Sequence, residues 1–294
     1  MIPVPLGEHR ILILGAGGWF GSTLLHQLDR ATHIPDEHVL ALASQPRECR
    51  IADRTWHLQT WNLPAIEAFA PTLVANFAYL TRERFDAENP DEYIQANTRL
   101  QEQFLQATQL PSVRMALTVS SGAAVALREE SNPYGRMKAQ EEDEALALVT
   151  DQRSIVVARA WSVSGPFVRR PADYAFSDLI LQARGGHIQI AADRPVFRRY
   201  IDVGDYLDVC LTRGLQGWSG VIDSGGPLVE MQELAEQIRD VVNPSATISR
   251  PPLRTKEPST YASDDRSWQQ ACTQASFTPR SLSEQISYTA AYLT

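Results

Sequence analysis

Tyr134 and Lys138 lie four residues apart at the head of an amphipathic stretch that opens after Pro133 and runs to about residue 149. Four residues are about one helical turn, so the two side chains share a face. A free phenol ionises near pH ~10 and is a poor base at neutrality. A cation one turn away favours the phenolate. The pair therefore suits proton exchange with the oxygen of a carbonyl or alcohol. By spacing alone, it also describes a Tyr and a Lys on an ordinary solvated helix. Elsewhere in the chain, Ser120-Ser121-Gly122-Ala123 follows the apolar run 115–119. Hydroxyls at the carboxyl end of a parallel strand lie where such sheets bind ligands.

A second set of residues points to a dinucleotide. The apolar run 11–14 leads directly into Gly15-Ala16-Gly17-Gly18-Trp19-Phe20-Gly21, and Leu24, Leu25 and Leu28 then form the inner stripe of a helix. A strand, a glycine turn and a helix let backbone approach a pyrophosphate at the positive end of the helix dipole. Gly15, Gly18 and Gly21 have G-x-x-G-x-x-G spacing, with Trp19 and Phe20 at the head of the helix. The next strand, 39–43, ends in Ser44-Gln45-Pro46-Arg47 rather than in an acid. No carboxylate there repels a 2′-phosphate, and Arg47 could grip one, so the reading prefers NADP(H) over NAD(H). The plain alternative for Arg47 is a solvated loop charge.

The elements that must position these groups alternate. Strands are expected at 11–14, 39–43, 56–58, 72–78, 115–119 and 154–159, with helices between them at 65–69, 92–108 and 134–149. This pattern predicts an α/β doubly wound parallel sheet of Rossmann type. Phe77, Ala78 and Tyr79 end the fourth strand and are candidate cofactor contacts. Asn97 is a polar residue on the apolar stripe of helix 92–108, read either as a cofactor-site residue or as an amide capping nearby backbone. Beyond Gly165-Pro166 the alternation weakens. Helices are expected at 174–184, from 205, at 231–242 and at 282–293. Strands are expected at 188–190, 199–203 and 220–224, and proline-rich irregular backbone at 243–265. The predicted organisation is a cofactor-binding domain over 1–165 with a return segment at about 195–224, and a smaller mixed α/β substrate lobe from 166–194 and 225–294.

Composition narrows the partners. The 294 residues are 44% apolar and 21% charged, an ordinary globular balance. The net charge of -8 and the lack of a basic run argue against nucleic acid. Cys49, Cys210 and Cys272 are neither a disulfide framework nor a metal knuckle, and the histidines form no HExxH pair, so no metal is expected. No apolar run approaches the ~20 residues of a membrane span. The N-terminus lacks the basic and apolar regions of a signal peptide, so the expected location is cytoplasmic.

Taken together these pieces resemble the extended short-chain dehydrogenase/reductases, the branch that holds nucleotide-sugar epimerases, dehydratases and ketoreductases. The resemblance rests on Gly15-x-x-Gly18-x-x-Gly21, Asn97, Ser120-Ser121, Tyr134-x-x-x-Lys138, Arg159 with Gly165-Pro166, and the segment Tyr200-Ile201-Asp202-Val203-Gly204-Asp205. It implies that Tyr134 exchanges a proton with the substrate oxygen and that Lys138 binds the nicotinamide ribose. It also implies that Ser121, or failing it Ser120, hydrogen-bonds that oxygen, and that the three glycines cradle the pyrophosphate. Arg199 resembles an arginine that meets substrate diphosphate, and Ser162 and Gly122 stand at strand ends that face substrate in relatives. Dehydratases of the family carry an Asp-Glu pair after the hydroxyl. Ala123-Ala124 stands here instead, which disfavours 4,6-dehydration. The resulting expectation is an NADPH-dependent reductase of a keto group on a nucleotide-linked sugar. The alternatives are a nucleotide-sugar epimerase with tightly bound NAD, a reductase of a smaller carbonyl compound, and a catalytically silent cofactor-binding protein. By the same resemblance, helices 92–108 and 134–149 imply a homodimer.

Overall fold

The computed structural model describes residues 6–32, 34–127 and 132–293. The chain divides into two compact units, Met1–Arg159 with Leu207–Ile222, and Ala160–Tyr206 with Asp223–Thr294.

In the first unit the apolar run Ile11–Leu14 forms β1, with all four residues buried. The glycine turn leads into α1 (Trp19–Thr32), whose Leu24, Leu25 and Leu28 are buried. β2 (Val39–Leu42) follows, then β3 (Arg47–Ile51) and β4 (Arg54–Leu58). α2 (Leu63–Phe69) is capped by Asn62, whose side chain accepts from the Ala65 N–H. β5 (Leu73–Asn76) precedes α3 (Pro90–Thr108), which has proline in its first turn. β6 (Met115–Ser121), the short α4 (Ala123–Ala126), α5 (Tyr134–Leu146) and β7 (Ser154–Ala160) complete the alternation.

In the second unit come β8 (Val163–Ser164), α6 (Ala175–Arg184), β9 (His187–Gln189), β10 (Val196–Arg199) and β11 (Ile201–Asp202). The chain re-enters the first unit through α7 (Val203–Leu215) and β12 (Gly220–Asp223). It ends in the second with β13 (Leu228–Glu230), α8 (Met231–Val242), β14 (Thr247–Ser249), β15 (Ser259–Tyr261), α9 (Arg266–Ala275) and α10 (Leu282–Tyr292). α10 starts with a capping box, Ser281 with Glu284. Among the described residues no helix is long and apolar enough to cross a membrane.

The central sheet has six strands in the order β12-β7-β6-β5-β1-β2. β1 pairs in parallel with β2 on one side and with β5 on the other, and β5 pairs in parallel with β6. The chain thus runs outward from β1 in one direction and then in the other. The crevice beyond the carboxyl ends of β1 and β5 is the topological switch point, where open α/β sheets bind ligands. Leu12, Leu14, Leu40, Leu42, Val74 and Val157 of the strands pack with Phe104 and Ala107 of α3 and Ala145 of α5 into one apolar core. Helices cover both faces, as continuous apolar strands require.

Two expectations need correction here. Residues 56–58 are not a strand of the central sheet. They belong to β4, which pairs antiparallel with β3 in a hairpin beyond β2. Arg54–Leu58 reads Arg-Thr-Trp-His-Leu, buried only at Trp56 and Leu58, the alternation of a one-sided strand. The segment 199–203 is also not one strand, because β10 ends at Arg199 and β11 starts at Ile201 in a different small sheet. The structure further shows α9 within the last stretch, where no helix was expected.

Candidate active site

Gly15 terminates β1 with φ +74, in the left-handed region that glycine tolerates. A Cβ at this position would lie 2.7 Å from the Phe77 carbonyl carbon and from the Ala78 nitrogen. The bare glycine therefore lets the turn after β1 close on the loop after β5. The Phe77 N–H donates to the Leu14 carbonyl (2.8 Å), and Phe77 stacks on Phe20 with ring centroids 6.1 Å apart. Gly18 donates its N–H to the Gly15 carbonyl (3.0 Å), and α1 begins at Trp19, with Gly21 in its first turn. Gly15, Gly18, Trp19, Phe20, Gly21, Phe77 and Ala78 are thus brought together at the switch point.

Arg47 is the first residue of β3, and a Cβ at Gly17 would meet its guanidinium. Its charge lies over the glycine turn, and it is not in a loop. Ser44 is exposed in the bend after β2. Asn97 is fully buried and commits both ends of its amide to one neighbour: Oδ1 accepts from the Leu80 N–H (2.8 Å) and Nδ2 donates to the Leu80 carbonyl (3.3 Å). It pins the loop that carries Phe77, Ala78 and Tyr79. These two bonds match the capping reading of Asn97; the second N–H and the second lone pair of the amide are not used by Leu80.

Tyr134 heads α5, where its N–H is held by Asn132 Oδ1 (2.9 Å). A Cβ at Gly135 would lie 2.6 Å from the carbonyl oxygens of Ala123 and Leu127. A glycine after the tyrosine therefore lets the head of α5 close on α4, directly beyond the strand-end serines. One turn on, Lys138 is buried and its Nζ donates to the Val119 carbonyl of β6 (3.2 Å) and to Glu141 Oε2 (2.9 Å). The same ammonium stands 3.4 Å from the centroid of the Tyr79 ring, which meets the Tyr134 ring edge-on at 5.6 Å. Burial, together with the Glu141 charge, pushes the Tyr79 phenol far above its ordinary value, so it stays neutral.

The two serines part company. Ser120 is buried and its Oγ donates to Glu142 Oε1 (2.5 Å), which in turn accepts from Arg159 Nε (2.9 Å), while Arg159 Nη2 binds Glu142 Oε2 (2.5 Å). Ser121, the next residue along β6, points to the other face and is half-buried. Its Oγ accepts from the Ala123 N–H (3.2 Å), which leaves its own proton to donate. Gly122 is buried at the start of α4, where its carbonyl accepts from the Ala126 N–H (2.9 Å).

Ser162 and Arg199 belong to the second unit. Ser162 is half-buried in the bend between β7 and β8. Arg199 is held by the carbonyls of Ser263 (Nε, 3.2 Å) and Gly226 (Nη1, 2.8 Å), and by Asp265 at 3.6 Å.

Sequence reasoning missed Glu141 and Glu142. They lie in the polar run Gln140-Glu141-Glu142-Asp143-Glu144, which reads as a solvated face, yet both are buried. The available signals were the Lys138–Glu141 spacing of three and an arginine, Arg159, after the apolar run 155–158 of β7.

The model of the NAD dependent epimerase/dehydratase family matches residues 11–216. Among curated proteins, no sequence match was found. Several solved structures share the fold. MoeE5 in complex with UDP-glucose and NAD is 22% identical with a TM-score of 0.72, covering 96% of this chain and 98% of its own. UDP-glucose 4-epimerase from Brucella ovis in complex with NAD is 18% identical with a TM-score of 0.73, covering 96% and 97%. TunA, an NAD dependent NDP-hexosamine 5,6-dehydratase of tunicamycin biosynthesis, is 18% identical with a TM-score of 0.73, covering 97% of each chain. These findings overturn the preference for NADP(H): the family is the NAD dependent one, and these neighbours bind or depend on NAD. The preference had rested on Arg47, whose guanidinium lies against Gly17 of the glycine turn. The neighbours are epimerases and a dehydratase, so the ranking of ketoreductase above epimerase is not supported either. The chain belongs to the NAD dependent epimerase/dehydratase family.

Proposed function

We propose that this chain is a nucleotide-sugar epimerase that works with bound NAD. The observation that carries the reading is the Tyr134–Lys138 pair, packed against the end of β6 in the same unit as the glycine turn at the switch point. The turn fits a dinucleotide. Gly15 lets the turn close on the Phe77–Ala78 backbone, the N-terminus of α1 follows at once, and Arg47 adds positive charge over Gly17. Ala123 and Ala124 place no carboxylate after Ser121, which favours epimerisation over 4,6-dehydration. The 4-epimerase and the UDP-glucose complex among proteins of the same fold support a nucleoside diphosphate sugar as the ligand class.

When bound, NAD supplies the hydride acceptor and returns the hydride. This chain's residues do the proton work. Tyr134 takes the proton of the sugar hydroxyl as its carbon is oxidised and gives it back on reduction. Ser121 donates its Oγ proton to the same oxygen. Lys138 would hold the nicotinamide ribose and lends its positive charge to the face that Tyr134 shares, and Asn97 keeps the loop of Phe77, Ala78 and Tyr79 in register. Ser162 and Arg199 are assigned to the substrate, Arg199 to its diphosphate.

The test is incubation of purified, NAD-loaded protein with UDP-glucose and UDP-glucuronic acid. The reading predicts inversion at a sugar carbon without net accumulation of NADH. A stoichiometric rise in NADH, or full activity in Tyr134→Phe, would overturn it.

A further inference from the structure

Two adjacent carboxylates of α5 are buried, and they have different partners. Glu142 is gripped through both oxygens by Arg159 and takes the Ser120 hydroxyl as well. Glu141 takes Lys138, at 2.9 Å. Tyr134, Lys138 and Glu141 stand at i, i+4 and i+7, one continuous face of the helix. The Lys138 ammonium is enclosed on three sides, by the Val119 carbonyl, the Glu141 carboxylate and the Tyr79 ring.

Burying a carboxylate is costly unless a cation and hydrogen bonds compensate. Burial does push the Glu141 carboxyl above the ordinary range, and Lys138 pulls it back down. A small apolar side chain at this position would fold without that cost. The charge instead falls beside Lys138, one turn after Tyr134 and over the Tyr79 ring that Tyr134 also meets. We propose that Glu141 is a positioning residue for the Tyr134–Lys138 pair: it fixes the Lys138 ammonium at the end of β6 and tempers the positive charge that Tyr134 feels. The inference rests on the acid–base reading of Tyr134.

The groups facing Glu141 come from several elements. Its own helix supplies Lys138, Glu142 and Glu144. The loop after β5 supplies Tyr79, and α3 supplies Tyr93. Gln101 of α3, uncharged, donates to the Glu141 carbonyl (3.4 Å) and to Glu144 Oε2 (3.2 Å). Tyr79 and Tyr93 are both pushed upward by burial, Tyr93 to about 12, so they stay neutral across the range of interest. Lys138 is then the cation against which the Glu141 charge acts on Tyr134.

The experiment is an NMR titration of the tyrosine ring carbons in the cofactor-free chain, with Tyr134 assigned by comparison with Tyr134→Phe. In Glu141→Gln the ionisation midpoint of Tyr134 should fall by about one pH unit, because a negative charge near the phenol is gone. The acid limb of the pH–turnover profile should move by the same amount. Glu142→Gln, whose carboxylate faces Arg159, should lower thermal stability and move the midpoint by less. Should Glu141→Gln not fold, Glu141→Asp, which withdraws the carboxylate from Lys138, must lower the midpoint by a smaller step. An unmoved midpoint in a folded Glu141 variant overturns the proposal, as does an equal shift in Glu142→Gln. The midpoint is read without turnover. An active Tyr134→Phe would therefore defeat the functional reading and leave this measurement intact.

Discussion

The Lys138 ammonium stands 3.4 Å above the centroid of the Tyr79 ring, at the heart of the first unit's candidate site. The ring, and not the hydroxyl, makes this contact. A desolvated ammonium over an aromatic face is worth roughly 1–2 kcal/mol. Tyr79→Leu should therefore lower the unfolding free energy by about 1 kcal/mol, seen as a lower urea midpoint at constant m. Tyr79→Phe, which keeps the face, should cost less. The reverse order would show that the hydroxyl holds the lysine.

Gly15 joins two constraints at one residue, a left-handed φ of +74 and a contact with the Phe77–Ala78 backbone that leaves no room for a Cβ. Gly15→Ala should destabilise the chain by about 1–3 kcal/mol and weaken NAD binding, because the turn after β1 must back away from the loop after β5. Thermal unfolding and an NAD titration by fluorescence check both. Unchanged NAD affinity would detach the turn from the cofactor.

Much of this site was legible from local pattern. The strand Ile11–Leu14, the glycine turn, the helix Met231–Val242 and the Tyr134–Lys138 spacing each depend on neighbours in sequence, and each stands where the pattern put it. The illegible parts depend on partners far along the chain. The alternation in residues 54–58 marks a one-sided strand, but it does not name β3 as the partner. That the amide of Asn97 brackets Leu80, seventeen positions away, could not be read from its place on the apolar stripe of α3. Which glutamates of a five-residue polar run are buried was settled by Lys138 and by Arg159 on another strand. That Arg47 opens β3 and lies against Gly17 was likewise not readable from the residues between them.

The sequence ranked Ser121 above Ser120 as the reacting hydroxyl, and the fold gives the two distinct surroundings. Ser120 closes a buried network with Glu142 and Arg159, while Ser121 opens toward α4 with its proton free. Ser121→Ala should reduce kcat at least about 100-fold, the size expected for loss of one donor to a reacting oxygen, with NAD affinity retained. Ser120→Ala should instead cost about 1 kcal/mol of stability and far less activity. Steady-state kinetics beside chemical denaturation separates the two. A larger kcat loss in Ser120→Ala would exchange their roles.

Asp202, in the second unit, is fully buried, and its Oδ1 accepts from the N–H groups of Gly204 (2.9 Å) and Asp205 (3.2 Å) and from Arg280 Nη1 (3.0 Å). Its Oδ2 is buried without a partner. Burial, reinforced by the neighbouring Asp205, pushes the carboxyl up to about 7 despite Arg280. In the unfolded chain the same group ionises near ~3.9. Between these values the folded chain keeps a proton that the unfolded chain has released. This group's contribution to stability is therefore complete below about pH 4 and is lost as pH rises to about 7. The full window amounts to about 4 kcal/mol at most. Asp202→Asn removes the titration and keeps an oxygen for the Gly204 and Asp205 N–H groups. Relative to wild type, the variant should therefore gain stability as the pH is raised. Urea unfolding of both chains at about pH 4.5 and about pH 7.5 measures this. A stability difference that is the same at both pH values would show that Asp202 is ionised throughout and that Arg280 outweighs its burial.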